Sequence, residues 1–413
     1  MTKLILILLI SCTSLVAQSP PVYVVLFTHI EDNTPTGTLG SPESRNHYLL
    51  VRSKVIEMAN LALRYNVKWS FQPDWKILLA ALMYEDSSTR STTKGKNFLR
   101  YVKEDLGAII DPHSHEKLGY SYTDVAHLLD SLGVGGSTVI GGHVWDPSLP
   151  QFANWDRFRI PVRGTQYPWA VWRGTILMGS GTPNHVNDPH VSGVWRPRDR
   201  FHYFVDDPSG NIACIGQYKS DITTIDELIG LYASGSVSRE YMLTSSYHIT
   251  PSSITDPNGI VTIENTVLKP LAALRALNKI RLTDFTSLIL EWQSTFSGKA
   301  YIYDPDISTG IQAEPLVPES VVLYQNYPNP FNPTTAISYQ LTAVSFVTLR
   351  VFDILGREVA TVVDDVRSQG THVVRWDASG QPSGIYLYCM QARVVSGGQG
   401  HTSIGPKKML VVR

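Results

Sequence analysis

Cysteine is scarce: three in 413 residues. Cys12 sits in the leading apolar segment, while Cys214 and Cys389 stand far apart, so neither a disulfide framework nor a cysteine zinc site organises the chain. Charge is also sparse. Charged residues make up 17%, and 35 basic against 36 acidic residues leave a formal net charge of −1. There is accordingly no basic field to hold a nucleic acid and no strongly charged tail. Long apolar runs are missing too. The leading run Leu4–Ile10 is far shorter than the ~20 residues a spanning helix needs, and no later segment nears that length. Several catalytic signatures are absent: the Gly-x-Ser-x-Gly elbow, the Gly-x-x-x-x-Gly-Lys-Ser/Thr phosphate loop and the His-Glu-x-x-His helix. Serine hydrolase, phosphate-loop nucleotidase and zincin metalloprotease readings therefore lack their required parts.

What is present is enough apolar material, 43% of residues, for two or three sizeable cores. Lys3, the run Leu4–Ile10 and the small-residue stretch from Ser11 to Ala17 make an export signal over residues 1–17. Cleavage after Ala17 is preferred to lipoprotein processing at Cys12. Near the other end, residues 305–320 are polar, contain prolines and show no period, as a linker does. Beyond them come short alternating segments, Ala336–Leu341, Phe346–Phe352, Glu358–Val363, Thr371–Trp376, Gly384–Ala392 and Lys408–Val412, separated by Gly, Asp, Asn and Pro turns. That pattern predicts a small all-β sandwich over 321–413. Its motifs are Leu323-Tyr-Gln-Asn-Tyr-Pro-Asn-Pro-Phe-Asn-Pro, Val351-Phe-Asp-Ile-Leu-Gly-Arg-Glu-Val, Ser383-Gly-Ile-Tyr and the closing Lys408-Met-Leu. With them the segment resembles the type A C-terminal sorting domain of type IX secretion cargo. The resemblance implies the type IX machinery as partner, export through the periplasm, and an extracellular or outer-membrane-surface destination. A carbohydrate-binding or adhesive sandwich is the alternative.

Between the two addresses, residues 21–304 alternate apolar runs with amphipathic helical stretches, the pattern of an α/β domain with a largely parallel sheet. The first strand, Val22 to Thr28, is almost continuously apolar and runs into His29-Ile30-Glu31-Asp32. A later strand, Ala108 to Ile110, runs into Asp111-Pro112-His113-Ser114-His115. Ligands bind at the carboxyl ends of parallel strands. His113 and His115, two apart on extended chain, project to one side and can share a divalent metal, expected as zinc. His29, Glu31 or Asp32 can supply a third ligand. We expect Asp32 on the metal and Glu31 as general base, because a water activated by a cation needs a proton acceptor nearby.

This arrangement resembles the polysaccharide deacetylase superfamily over roughly residues 22–250. Glu31-Asp32 stands where members carry two adjacent aspartates, and His113-Ser114-His115 stands where they carry His-Ser/Thr-x-x-His. The resemblance implies a distorted seven-stranded (β/α) barrel, a metal-dependent deacylase and a late strand ending in histidine. Tyr241 to His248 fits that last feature, so His248 is expected to act as general acid or to polarise the substrate. In between, Trp, Arg, His and Gly interleave in Gly141-Gly-His143-Val-Trp145-Asp146, Trp155 to Pro161, Trp169, Trp172-Arg173 and Trp195-Arg196-Pro197. Tryptophan faces stack on sugars and arginines take hydroxyls or carboxylates, so His143, Trp145, Arg159, Trp195 and Arg196 are expected to bind substrate. Arg159-Ile-Pro161 and Arg196-Pro197 also correspond roughly to the family's arginine-proline motif. The bland alternative is that the tryptophans fill core under long loops. His185 and His190 near Asp188 are a further metal-site candidate.

The expectation is an exported, metal-dependent hydrolase that deacylates a glycan. Two alternatives stand beside it. One is a glycoside hydrolase pairing Glu31 or Asp32 with Asp146 or Asp188 across the scissile bond; the other is a non-catalytic surface glycan binder.

Overall fold

The structure is a computed structural model that describes residues 19–116, 118–142, 155–179, 190–199, 202–305, 321–342, 344–367, 370–394 and 401–412. The leader, most of the linker, His143, Trp145, Asp146, His185 and Asp188 lie outside the described residues. The chain divides into two compact units: Met1–Trp195 with Asn211–Gly310, and Arg196–Gly210 with Ile311–Arg413.

The first unit is built on β1 (Val22–Ile30), whose nine residues are rich in β-branched and aromatic side chains. Alternation divides it between two cores. Val22, Val24, Leu26 and Ile30 join one apolar cluster, and Tyr23, Val25 and Phe27 join another. The helix α1 (Pro42–Arg64) starts at Ser41, whose hydroxyl accepts from Ser44 N, with proline in its first turn. It leads to β2 (Trp69–Pro73), which pairs parallel with β1 so that His29 stands opposite Gln72. Next come α2 (Trp75–Tyr84), α3 (Ser87–Ser91), α4 (Phe98–Glu104) and the two-residue β3 (Ile109–Ile110), parallel to β2. The helix α5 (Tyr122–Ser131) opens with a reciprocal capping box between Ser121 and Asp124. Behind it lie β4 (Val139–Ile140), the hairpin β5 (Val162–Arg163) and β6 (Val171–Trp172), β7 (Ile176–Met178), β8 (Val194–Trp195) and β9 (Ala213–Ile215). Its last strands are β10 (Thr244–His248) and β11 (Ile280–Thr283), both parallel to β1.

These strands form an α/β framework of two sheets. One has the order β10-β1-β2-β3 with β11 also on β1, and the other has the order β4-β7-β9-β8. The expected closed seven-stranded barrel is not found among the described residues. Two local features account for this. Asp111-Pro112 ends β3, and proline brings no N–H to a ladder, so on this side the described residues join the two sheets through the isolated parallel bridge His113 to Gly141. At the far side, the antiparallel β8 takes an edge of β9, and Ser192 and Gly193 on its approach hydrogen-bond to Thr244 of β10.

The second unit contains two antiparallel sheets. One holds β12 (Val322–Leu323), β13 (Thr334–Leu341) and β16 (Gly370–Asp377). The other has the order β15-β14-β17-β18, from β14 (Ser345–Asp353), β15 (Glu358–Arg367), β17 (Gly384–Val394) and β18 (His401–Val411). Period two is strict in the core: Ile337, Tyr339 and Leu341 of β13, Val347, Leu349 and Val351 of β14, and Tyr386, Tyr388 and Met390 of β17.

Candidate functional site

On β1 the inward face reads Tyr23, Val25, Phe27, so the next residue on that face is His29. Strand β10 pairs with β1 in a register that puts His248 opposite Phe27. The imidazole of His29 stacks on His248 with centroids 3.9 Å apart and on His113 at 4.7 Å. His248 also lies on the Phe27 ring at 5.1 Å, which closes the inner side of the cluster with an apolar floor. His113 follows β3 and is fully buried, held beside Gly141 by the parallel bridge. His115, edge-on to His113 at 4.9 Å, contacts Glu31 through Nε2 at 3.3 Å. Glu31 in turn lies 3.4 Å from His29 Nε2.

His29, Glu31 and His113 each offer a ligand atom, and these atoms lie within 4.8 Å of one another. Both ring nitrogens of His113 are buried without a hydrogen-bond partner, a costly state for polar atoms that no water reaches. Asp74 Oδ2 is 3.6 Å from His113 Nδ1, and both side chains are almost completely buried. The other oxygen of Asp74 accepts from Trp75 N at 2.6 Å and caps α2. Gln72, also buried, reaches Met178 Sδ through Nε2 at 2.8 Å, while its Oε1 has no partner. The backbone of Gly142 passes close to the cluster. It has φ +80°, and a Cβ there would stand 2.6 Å from His113 Nε2, so only glycine fits.

The electrostatics follow from burial and crowding. Burial alone would push the Glu31 carboxyl up, but hydrogen bonds from His115 and His29 overcome it and hold that carboxyl well below the usual carboxylate range. Burial, reinforced by the neighbouring His29 and His115, keeps His113 neutral far below the ordinary histidine value. His248 is pushed down to about 3 by burial and by His29. Two neutral imidazoles, His113 and His248, thus stand with His29 and His115 around one carboxylate, a donor set suited to a divalent cation.

The sequence-expected residues distribute unevenly. Glu31, His113, His115 and His248 come together. Asp32 is half-buried in the turn after β1 and is not part of the three-residue ligand group, whose place is taken by His29. Trp195 is a correction: it is fully buried in β8, so its ring faces core and no soluble glycan can stack on it. Arg196 belongs to the other unit and forks onto Asp206, with Nε 3.1 Å from Oδ1 and the second bond at 2.9 Å. Arg159 lies over the Trp155 ring at 5.5 Å. His190 is half-buried, and its expected companions His185 and Asp188, like His143 and Trp145, lie outside the described residues. Sequence reasoning missed Asp74 and Gln72. For Gln72 a signal was available, since it lies at the end of β2 beside the strand that carries His29; Asp74, just beyond that strand, reads as the cap of α2.

Residues 325–396 match the family described as "Secretion system C-terminal sorting domain". The second unit therefore carries a type IX sorting domain, which marks the chain for delivery to the cell surface or the extracellular space. No helix among the described residues is long and apolar enough to cross a membrane. No curated protein matches the chain. Among solved structures, a "putative glycoside hydrolase/deacetylase" from Parabacteroides distasonis is similar at 9% identity, covering 85% of this chain and 85% of that one with a TM-score of 0.43. A GH57 branching enzyme from the archaeon Thermococcus kodakaraensis, in complex with glucose, is similar at 8% identity over 67% of this chain and 72% of that one, with a TM-score of 0.36. At these identities and TM-scores neither likeness carries an argument about this chain.

Proposed function

We propose that the chain is an exported, metal-dependent hydrolase that removes acyl groups from a glycan. The observation that carries this reading is the convergence of His29, Glu31, His113 and His248 at the carboxyl ends of parallel strands, with the buried nitrogens of His113 left unpartnered. His29, Glu31 and His113 would hold the cation, expected as zinc; a bound divalent cation supplies Lewis-acid activation of water and of the acyl carbonyl.

The roles of the chain's own groups follow from their environments. A carboxyl held as low as that of Glu31 suits a ligand better than a base, because a base works best with a pKa near the operating pH. We therefore assign Glu31 to the ligand set rather than to proton transfer. His115 orients it through the 3.3 Å contact. Asp32, adjacent and half-exposed, is the carboxylate left to accept a proton from the attacking water. His248 is neutral at ordinary pH, so it acts as a hydrogen-bond donor that polarises the acyl oxygen rather than as a cationic acid. The stacked rings of Phe27, His29 and His248 exclude bulk water from the inner side of the site.

The test combines metal content and acetate release. Wild-type chain reconstituted with zinc is expected to hold it near stoichiometrically, and His113→Ala to lose it. Asp32→Asn should keep the metal and lower kcat by roughly 10²-fold or more. Equal absence of metal from wild type and His113→Ala after reconstitution would sink the reading. Activity insensitive to chelation would instead favour a glycosidase with two carboxylates across the bond. Sugar binding without product would favour the non-catalytic binder.

A further inference from the structure

Outside the histidine cluster, a row of half-exposed and exposed aromatic rings runs across the first unit. It begins beside the cluster at Trp75, the residue after Asp74, whose ring stacks on Tyr120 at 4.4 Å and 3°. The Tyr120 segment is tied to the β5–β6 hairpin loop by Gln166 Nε2, which donates to Gly119 O at 3.0 Å. That loop carries Tyr167 and Trp169, whose rings meet edge-on at 5.6 Å. His127 of α5 supports both, at 4.5 Å from Tyr167 and 6.1 Å from Trp169. Trp169 itself is 68% exposed.

The loop beneath these rings is held unusually firmly. The buried carboxylate of Asp124 accepts from the backbone N–H groups of Thr165, Gln166 and Tyr167 at 3.0, 3.0 and 2.9 Å. Arg163 donates to Pro168 O at 3.0 Å, and Ala170 N closes a turn on Tyr167 O at 2.9 Å. A buried charge is thus committed to fixing a surface loop whose tip presents a tryptophan to solvent. Core packing does not require that exposure. Pre-organised aromatic faces that end in water are the means by which proteins hold the apolar faces of sugar rings.

We propose that Trp169, Tyr167, Tyr120 and Trp75 form a track that binds an extended glycan chain and leads it toward the histidine cluster. The binding stands on the aromatic geometry; only the sense of direction rests on reading that cluster as glycan-directed. The experiment is native affinity electrophoresis of the full chain in gels containing acetylated glucuronoxylan, glycol chitin or hydroxyethyl cellulose. Expected is retardation by at least one polymer, weakened roughly tenfold or more in Trp169→Ala, restored by Trp169→Tyr, and unchanged with a chelator. Unchanged melting of Trp169→Ala will show that the fold is intact. Wild type that runs unretarded in all three gels, or Trp169→Ala that binds as wild type does, overturns the track. Retardation that persists in a protein releasing no acyl group upholds the track and counts against deacylation instead.

Discussion

The histidine cluster draws its side chains from β1, the end of β3 and β10, between residues 29 and 248, and its closest ring contacts, His29 with His248 and with His113, span separate strands. The sorting unit works the other way. Its buried residues alternate along single strands, and its turns are closed by neighbours: Asp353 accepts from Leu355 N and Arg357 N at 2.9 Å each. The first unit depends on buried polar groups brought together from distant segments, whereas the second depends mainly on apolar alternation, with a smaller set of buried polar groups, among them Asn326, Thr335 and the Tyr388 hydroxyl. Damage should therefore be severe and localised in the first unit and graded in the second.

The largest effect is expected at Glu85. Its Oε1 accepts from Tyr48 Oη at 2.9 Å, from Arg52 Nε at 2.8 Å and from Phe98 N at 3.3 Å, and the Arg52–Glu85 pair is almost completely buried. Glu85→Ala leaves the Arg52 cation buried without its carboxylate and should cost about 3–5 kcal/mol. Urea unfolding followed by near-UV circular dichroism will measure it. A loss below about 1 kcal/mol would remove the contrast between the two units.

Asp124 comes next and adds a pH signature. Burial raises its pKa, but backbone N–H groups of Ser121, Tyr167 and Gln166 and the Ser121 hydroxyl overcome that and hold it below the ordinary value of 3.8. A depressed carboxyl contributes stability that is complete above 3.8 and is lost as pH falls through the folded-state pKa. Asp124→Asn should cost about 1–3 kcal/mol at pH 7. The gap from wild type should narrow below pH 3.8, because protonation deprives wild type of the same charge. A gap that stays constant across the acid range would contradict this assignment.

In the sorting unit the comparable buried polar group is Tyr388, whose hydroxyl donates to Tyr324 O at 2.8 Å and accepts from Asn326 N at 2.7 Å. Tyr388→Phe removes both bonds without changing the packing of the ring, so about 1–2 kcal/mol is expected. Calorimetry should show this in one transition only, with the unfolding of the first unit unchanged.

The same contrast governs what could be read from sequence. Period-two alternation marked five strands of the sorting unit to within about four residues but caught only the end of β18 and missed β12, and contiguous motifs carried its resemblance. In the first unit, β1 was legible from its apolar run, and Glu31, His113 and His248 from their places at strand ends. Asp74 was not, because an aspartate before a helix already has a reason to be there as a cap. His29 is not distinguished from the neighbouring acids as third ligand, since sequence shows which residues follow a strand but not which continue its inward face. Trp195 was misjudged because a two-residue strand carries no period to tell a core tryptophan from an exposed one. Barrel closure failed for a similar reason. β3 and β4 are two residues each, too short for alternation to announce how Pro112 interrupts the ladder.

The smallest effects are expected at the turn between β14 and β15, where the side chains of Ile354 and Leu355 are 71% and 72% exposed. Neither adds to the core, so Ile354→Ser and Leu355→Ser should each change stability by less than about 0.5 kcal/mol. The neighbouring Gly356 is different. It adopts φ +78° with no heavy atom within 4 Å of a prospective Cβ, so Gly356→Ala meets backbone strain and no collision. It should cost about 1 kcal/mol, more than either exposed apolar residue despite adding only a methyl group. If the serine variants prove as damaging as Gly356→Ala, the turn is packed against something and the sorting unit is less locally organised than its hydrogen bonds indicate. If the alanine alone destabilises, the turn is held by its backbone, and the two apolar side chains at its tip are free of any duty in folding.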